Sequence, residues 1–186
     1  MPRKPVTPQS TPIRRRDRAV EDETWIREFL RRAAYCTWAT AKRGRPLLHV
    51  NNFAYDDSAG TIYLHTGLEG RTPRDVQDND RVCLCIHEMG RLLPAKTAGE
   101  FSVEYASVMI SGRVSIVTDE LQAAHALQML LDKYFPHLRP KRDYRPITKQ
   151  ELVRTCVYRI DIEQWSGKQN EKPADFPGAF GYDELH

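Results

Sequence analysis

The spacing of apolar residues predicts one amphipathic helix followed by a series of strands. From position 22 the apolar residues recur at intervals of three and four, which places them on one stripe of a helix that Asp22 or Thr24 can cap. That stripe consists of Trp25, Ile26, Phe29, Leu30 and Ala33. Runs rich in β-branched and aromatic residues then predict six strands, at 34–41, 47–55, 61–66, 82–87, 107–117 and 155–163.

The connections between these runs indicate strands joined mainly as antiparallel neighbours. Segments 42–46 and 56–60 are short, polar and rich in turn residues, which is typical of hairpin loops, so the first three strands are expected to form a meander. Segment 88–106 is too long for a tight turn and is expected to cover part of the structure.

Two further helices are predicted near the carboxyl end of the chain. Thr118 is placed to cap a helix that ends before Pro136, and its apolar stripe is Leu121, Ala124, Leu127, Leu131 and Tyr134. Thr148 and Glu151 form a capping box for a short helix before the last strand. The sum is a mainly β protein, and we predict a small β-barrel with peripheral helices.

Composition and charge limit the classes of protein that the chain can be. Its 186 residues, 40% of them hydrophobic, fit one globular domain, and no stretch is suited to a membrane span or a secretion signal, so a cytoplasmic protein is expected. The net charge of +3 suggests an anionic partner, but residues 1–20 hold six basic residues, one acidic residue and four prolines, and the remainder is slightly acidic. We therefore predict a disordered basic tail at 1–20, one domain at 21–168 and a carboxyl-terminal arm at 169–186.

The four cysteines do not favour a metal or redox site. They show no Cys-x-x-Cys pair and no zinc-site spacing. Cys83 and Cys85 are expected on one face of their strand, with Val82, Leu84 and Ile86 on the other. Small, buried, apolar cysteines are the preferred interpretation.

Segment 61–75 contains the residue types that a phosphate site requires. A strand ends at His65 and Thr66, glycines follow, and Arg71 and Arg74 accompany a helical turn that Pro73 opens. Hydroxyl and backbone N–H donors, a helix amino terminus and a guanidinium together suit a phosphate group. The alternative is a glycine turn with exposed arginines. The spacing matches neither the P-loop nor the dinucleotide fingerprint.

Two more segments carry candidate binding residues. Asn51 and Asn52 lie in an otherwise apolar strand, where their amides either meet a flat heterocycle or satisfy neighbouring loops. Trp165 and Lys168, at the end of the last strand, could cover a ring and offer it a cation. No second histidine accompanies His87 and Glu88, and no serine-hydrolase elbow is present, which argues against hydrolytic chemistry.

Five segments in this order resemble the flavin-binding relatives of pyridoxamine 5′-phosphate oxidase, and more narrowly the Nim group of 5-nitroimidazole resistance proteins. The resemblance covers about 22–170 and is carried by 51–55 (Asn-Asn-Phe-Ala-Tyr), 62–66 (Ile-Tyr-Leu-His-Thr) with Gly70-Arg71, 79–83 (Asn-Asp-Arg-Val-Cys), 104–112, and 165–168 (Trp-Ser-Gly-Lys).

The resemblance implies an FMN-binding split barrel that forms a homodimer with FMN in clefts at the subunit interface. His65, Thr66, Gly70 and Arg71 match the segment that holds the flavin phosphate, with Arg74 as a helper. The strand with Val50, Asn51 and Asn52 matches the one that lies along the flavin ring, and Trp165 and Lys168 match an element that approaches the ring from the partner subunit. His65 also matches a histidine associated with the active site of Nim proteins.

The chain departs from the family pattern at two places. Thr72 stands where many relatives have a lysine, and 169–173 replaces the arginine-rich segment that grips the substrate phosphate, which argues against vitamin B6 oxidation. We therefore expect an FMN-dependent oxidoreductase that reduces a small oxidised compound such as a nitroaromatic. The alternatives are a flavin, haem or deazaflavin binder without turnover, and a nucleic-acid-binding regulator that uses the basic tail.

Overall fold

The computed structural model describes residues 7–8 and 13–185, and the strands within these residues form one sheet. The nine strands are β1 Thr7–Pro8, β2 Ala19–Val20, β3 Cys36–Lys42, β4 Arg45–Asn51, β5 Ala54–Asp56, β6 Thr61–Gly67, β7 Arg81–Leu93, β8 Ser102–Ile116 and β9 Thr155–Asn170. The four helices are α1 Glu23–Arg32, α2 Arg71–Asp78, α3 Glu120–Tyr134 and α4 Lys149–Leu152, and short 3-10 turns lie at Arg16–Arg18, Ala98–Glu100 and Tyr182–Leu185.

The strand order explains how the sheet closes into a barrel. Strands pair in the order β4-β3-β7-β8-β9-β6-β5, and all of these pairs are antiparallel. Only Asn52 and Phe53 separate β4 from β5, although these strands lie at opposite ends of that order. The chain therefore joins the two edges of the sheet at this point. The predicted mainly β barrel is confirmed as a split barrel.

The barrel interior holds apolar side chains from β3, β5, β6, β7, β8 and β9. Trp38, Leu84, Ile110, Tyr158 and Ile160 are fully buried and belong to one core cluster. The cluster also takes Ile26, Phe29 and Leu30 from α1, whose amino terminus Asp22 caps by accepting the Thr24 N–H at 2.8 Å. The helix predicted from the sequence is thus confirmed with its cap.

The expected meander of three strands is wrong. The run 47–55 is not one strand, because the chain turns at Asn52 and Phe53 and sends β4 to β3 and β5 to β6. Phe53 is fully buried, and its backbone N–H donates to the Tyr134 hydroxyl at 3.0 Å. Helix α3 therefore fixes the corner that splits the run.

Segment 88–106 is also not the long covering loop that was expected. Most of it extends β7 and β8 into one long hairpin, and only 94–101 connects the two strands. The alternation of apolar and polar residues that marks a strand is hard to see in this segment, because its outward side chains are polar and the register shifts between Met89 and Leu92. Strand β7 is consequently about twice as long as predicted, and β8 begins five residues earlier than predicted.

The predicted cap of α3 is displaced by one residue. Asp119, not Thr118, caps this helix by accepting the Gln122 N–H at 2.7 Å. The buried side of the helix carries Ala123, Ala126 and Leu130, whereas Leu121 is 82% exposed. At α4 the predicted capping box of Thr148 and Glu151 is confirmed.

The described residues near each end of the chain pack against β9 or against the long β7–β8 hairpin. Within the tail expected at 1–20, β1 and β2 pair with β9, while residues 1–6 and 9–12 lie outside the described part. The arm expected at 169–186 begins inside β9, which continues to Asn170. Beyond it the Arg91 guanidinium donates to the carbonyls of Lys172, Pro173 and Ala174. None of the helices in the described residues has both the length and the apolar character needed to cross a membrane.

Candidate functional site

The most distinctive polar site lies where α2 begins beside β3 and β4. Gly70 caps α2 with φ 137°, a conformation that side chains rarely adopt, and no side chain caps the helix. A Cβ built on Gly70 would meet nothing within 4 Å, so the space beside this residue is open. The first turn of α2 therefore begins next to open space without a capping side chain, and such a helix end can accept an anion. We call Gly70, Arg71, Thr72 and His49 the cradle.

A hydrogen-bond chain fixes the cradle to the barrel wall. Thr72 Oγ1 lies 3.2 Å from His49 Nδ1, His49 Nε2 lies 3.1 Å from Thr40 Oγ1, and Thr40 Oγ1 donates to Asp75 Oδ2 at 3.3 Å. Because Thr40 donates to the carboxylate, its oxygen accepts from His49 Nε2–H, which leaves Nδ1 to accept from Thr72. Thr40, Thr72 and Asp75 are buried. The chain thus holds the first turn of α2 against β4.

Burial and charge set the protonation of His49. Desolvation lowers the pKa of its imidazole below 6.5, Arg71 acts in the same direction, and Asp75 opposes them. The imidazole is therefore neutral at pH 7, as the hydrogen-bond chain requires.

Arg71 of the cradle also borders a cleft of about 630 Å³. The cleft is lined by Arg71 and Asp75 on α2 and by the β3–β4 hairpin. Arg71 and Arg74 are exposed, and among the described residues neither forms an ion pair. The predicted phosphate-binding arginines are thus available to a ligand, with Arg71 the nearer to His49.

Thr66 is already engaged within the barrel. Its Oγ1 donates to the Gly67 carbonyl at 2.8 Å and lies 2.9 Å from the hydroxyl of the fully buried Tyr158. Both partners tie the hydroxyl to the end of β6. Thr66 therefore positions the loop that leads to α2 in this structure.

His65 faces a different cleft, on the side of the barrel where α3 packs. This cleft holds about 640 Å³ and is mostly apolar, with Leu127, Leu130, Leu131, Tyr134 and Phe135 along α3 and its end. Asn52 and His65 supply polar groups from the barrel, and Arg145 and Glu151, which form an ion pair at 2.9 Å, complete the lining. Desolvation lowers the pKa of the His65 imidazole below 6.5, so the ring is neutral at pH 7.

The predicted ring-binding strand is β4, which pairs only with β3 among the described strands. Leu48 and Val50 point outward and are 68% and 69% exposed, whereas His49 and Asn51 point toward the barrel. Asn51 Oδ1 accepts from Trp38 Nε1 at 2.9 Å, and Asn51 Nδ2 donates to the His65 carbonyl at 3.1 Å. The Asn51 amide is therefore occupied in closing the barrel, while the free edge of β4 offers backbone groups.

The two predicted binding residues on β9, Trp165 and Lys168, lie on opposite faces of the sheet and apart from the cradle. Trp165 is 5% exposed, belongs to the core cluster and lies under the Arg27 guanidinium, so the structure leaves it no face for a ligand ring. Lys168 points to the outer face of the sheet beside Ser107. Because His65 pairs with Val157, Trp165 lies eight residues further along β9, about 26 Å of strand.

The sequence matches one family model, described as pyridoxamine 5′-phosphate oxidase, over residues 22–169. This chain belongs to the pyridoxamine 5′-phosphate oxidase family. The match covers the barrel from the cap of α1 to the end of β9. A search among curated proteins finds no match to the chain.

Solved structures of low sequence identity share the fold of this family member. A flavocytochrome from Azotobacter vinelandii is 22% identical, with a TM-score of 0.75 over 97% of this chain and 80% of that one. A 5-nitroimidazole antibiotic resistance protein, described as putative, from Bacteroides thetaiotaomicron is 23% identical, with a TM-score of 0.67 over 82% and 90%. An FAD and haem binding protein from Mycobacterium smegmatis is 19% identical, with a TM-score of 0.75 over 85% and 76%.

Two features of the site are not predicted from the sequence, namely His49 and the cationic hairpin between β3 and β4. The signal for His49 was the alternation of Leu47, His49 and Asn51, which puts the imidazole on the inner side of β4. Its contact with Thr72 depends on the packing of α2 against β3 and β4, which the sequence does not display. The hairpin was interpreted only as a turn.

Proposed function

We propose that this member of the family binds a flavin whose phosphate is held in the cradle. The observation that carries the proposal is the amino terminus of α2, which no side chain caps and which begins beside open space, with Arg71 next to it and in no ion pair within the described residues. First-turn N–H groups and a guanidinium satisfy a phosphate dianion, and the helix dipole adds favourable charge. The residues present therefore fit the phosphate end of the cofactor that the family implies.

The cradle offers a site for one phosphate, and FMN carries one phosphate. FMN is therefore the flavin that suits the cradle. The free edge of β4, near Val50 and Asn52, supplies backbone N–H and C=O groups for the polar edge of a flat ring. Asn51 supports this edge indirectly, since it holds the end of β4 to Trp38 and β6.

A homodimer formed through the outer face of the sheet completes the proposed site. This outer face carries mostly small or apolar residues on β4, β3, β7 and β8: Leu48, Val50, Thr37, Ala39, Cys83, Cys85, Ser107 and Met109. The apolar side chains of Leu48 and Val50 are largely exposed to solvent in a single barrel, which is unfavourable. A second copy of the chain would bury them. Lys168 lies on the same face and would reach toward the partner's flavin site.

The apolar cleft beside His65 is the proposed binding place for a small aromatic acceptor, such as a nitroaromatic compound. The bound flavin supplies the redox chemistry. The leucines of α3 exclude water, Asn52 and the neutral His65 orient polar atoms of the acceptor, and His65 can hold or give up a proton at a ring nitrogen. This arrangement supports an oxidoreductase.

Haem is the second candidate ligand, and the same cleft is the observation that favours it. A neutral imidazole is the form that ligates iron, and the walls of the cleft are mostly apolar. Two of the structures with this fold are a flavocytochrome and an FAD and haem binding protein.

The visible spectrum of the purified, full-length protein tests the proposal. A flavin spectrum, with the flavin released on heating, supports it, and a Soret band supports the second candidate. A colourless protein that takes up neither FMN nor haem would contradict both. Reduction of a nitroimidazole by the flavin-loaded protein then tests turnover, with His65→Gln expected to lower turnover more than it lowers flavin binding.

A further inference from the structure

A cysteine and a histidine converge on the outer face of β7. Cys85 and His87 lie two residues apart on this strand, so both side chains point to the same side of the sheet. Cys85 Sγ lies 3.9 Å from His87 Nδ1. The ring of Tyr35 meets the His87 ring edge-on, with 6.0 Å between the centroids, and this contact favours the observed ring orientation. A thiol sulfur and an imidazole nitrogen are thus brought together at one point of the face.

The distance between these two atoms suits one metal ion bound between them. Zinc is held by cysteine sulfur at about 2.3 Å and by histidine nitrogen at about 2.0–2.1 Å, in a tetrahedral arrangement. Two such ligands on one tetrahedral ion lie about 3.6 Å apart. The 3.9 Å between Cys85 Sγ and His87 Nδ1 is close to this value, so a small change in side-chain torsions would bring both atoms onto one zinc ion.

One copy of the chain supplies only half of such a site. Structural zinc sites have four protein ligands. Within the described residues of one chain, no group of three or more histidine, cysteine, aspartate or glutamate side chains is placed to hold a metal ion. The residues opposite Cys85 on the neighbouring strands are Thr37 on β3 and Met109 on β8, and neither is a usual zinc ligand. The two missing ligands would therefore have to come from a second copy.

The position of Cys85 on the sheet is where a second copy would bring its own Cys85. The outer face spans β4, β3, β7, β8 and β9 in that order, so β7 is the middle strand. Cys85 lies in the short part of β7 that pairs with both β3 and β8. In a two-fold dimer the centre of the interface contacts the same surface of the partner. The proposed homodimer would therefore bring two pairs of Cys85 and His87 close together.

Charge and surroundings also favour a metal at this place. Two cysteine thiolates balance the charge of one zinc ion, so the complete site carries no net charge, which a mostly apolar interface tolerates. Cys83 and Cys85 are half-buried and His87 is exposed in one copy, so these side chains are accessible to a partner surface. Cys36 and Cys156 are buried. The expectation of small buried cysteines thus holds for that pair and not for the two on β7.

We infer that the homodimer binds one zinc ion through Cys85 and His87 of both copies. This inference rests on the homodimer of the proposed function and does not depend on flavin binding. Each subunit supplies one thiolate and one imidazole nitrogen, and the thiol protons pass to solvent when the ion binds. The ion joins the two sheets at the centre of the interface and stabilises the dimer. The sequence shows no zinc-site spacing because the four ligands are divided between two chains.

The test measures zinc in the untagged, full-length protein after chelation, reloading with zinc chloride and removal of unbound metal. We expect one zinc ion per two chains, and X-ray absorption at the zinc edge should show two sulfur and two nitrogen ligands. Cys85→Ser and His87→Gln should each weaken zinc binding at least about 100-fold in competition with a zinc chelator, since loss of an outer-shell partner alone costs about 10- to 100-fold. Cys83→Ser is the matched control, because this cysteine lies two residues before Cys85 on the same face, and it should retain the zinc.

Dimer formation and zinc binding should depend on each other. Val50→Glu, which places a charge on the same outer face and is expected to give a monomer, should lose the bound zinc. Removal of zinc from the wild type should weaken the dimer in sedimentation experiments. Arg71→Ala leaves the outer face unchanged and should retain the zinc.

The outcomes separate this inference from the proposed function. A dimer that binds flavin but holds no zinc after reloading would overturn the inference and leave the proposed function intact. Zinc that persists in Cys85→Ser and His87→Gln, or zinc bound to monomers, would also overturn the inference, because the ion would then lie elsewhere. Zinc at one ion per two chains in a protein that binds no flavin would support the inference and contradict the proposed flavin. A monomeric wild type would overturn the proposed interface and the inference together.

Discussion

The imidazole of His49 and the hydroxyl of Thr72 meet at 3.2 Å and join β4 to the first turn of α2. This contact crosses from the barrel wall to the helix that carries Arg71. It fixes the direction in which the N–H groups of that turn point. The side chain that positions the candidate phosphate site therefore comes from a strand 23 residues earlier in the chain.

We predict that the stability of the flavin-free protein falls as the pH drops below about 6.5. Burial lowers the folded-state pKa values of His49 and His65, so the unfolded chain takes up protons before the folded chain does. The contribution is complete above pH 6.5 and is lost as the pH falls through the lowered pKa values. Urea unfolding at pH 7.0 and 5.5 should show a smaller loss for His49→Gln than for the wild type. The exposed His125→Gln serves as the control, and an unchanged loss in His49→Gln would contradict the assignment.

Gly70→Ala should destabilise the fold and weaken flavin binding. The φ of 137° at this cap is unfavourable for any residue with a Cβ, which costs about 1–3 kcal/mol. Relief of that strain would turn the first N–H groups of α2 away from the cradle. Urea unfolding and FMN titration measure the two effects.

Gly67→Ala is the matched control, since Gly67 lies in β6 without a positive φ and with open space around its Cα. If Gly67→Ala loses as much stability and FMN affinity as Gly70→Ala, the positive φ at the α2 cap is not the cause of the effect.

Asn51→Ala should reduce the free energy of unfolding more than it reduces flavin affinity. The substitution leaves the Trp38 indole N–H buried without an acceptor, and Trp38 is fully buried. An unsatisfied buried donor costs about 1–3 kcal/mol. The loss in unfolding free energy, measured with denaturant, should therefore be larger than the loss in FMN binding free energy, measured by titration. A large affinity loss with unchanged stability would instead favour direct contact between the Asn51 amide and the flavin.

A charge on the outer face should break the proposed homodimer. Val50→Glu places a carboxylate on the exposed side of β4, where a second copy of the chain would bury it. Sedimentation should show a dimer for the wild type and a monomer for the variant. Leu121→Glu, at an exposed position on α3, should leave the dimer intact. A wild-type monomer that still binds flavin would contradict the interface.

Local patterns along the sequence predicted the parts of the fold that local interactions determine. The Asp22 cap of α1, the capping box at Thr148 and Glu151, and the alternation of Leu84 with Cys83 and Cys85 all follow from neighbouring residues. The division of 47–55 does not, because the Tyr134 hydroxyl that receives the Phe53 N–H comes from 81 residues away.

The candidate site shows the same limit. Glycines and arginines at 67–74 indicated a phosphate site, since their chemistry is visible in a short segment. His49 depends on the packing of α2, and the burial of Trp165 depends on the sheet closing around it. An aromatic residue near a strand end looks the same in sequence whether it faces a ligand or the core.

The FMN affinity of Arg71→Ala tests the central claim most directly. Arg71 is exposed and unpaired among the described residues, so its removal should leave the fold intact. Lys149→Ala, which removes one exposed cation from α4, controls for the change in net charge. The account predicts that Arg71→Ala binds FMN about 10- to 150-fold more weakly than the wild type, the loss of a charge-assisted contact of about 1.5–3 kcal/mol, while Lys149→Ala binds normally. Equal FMN affinity in Arg71→Ala and wild type would show that the phosphate lies elsewhere.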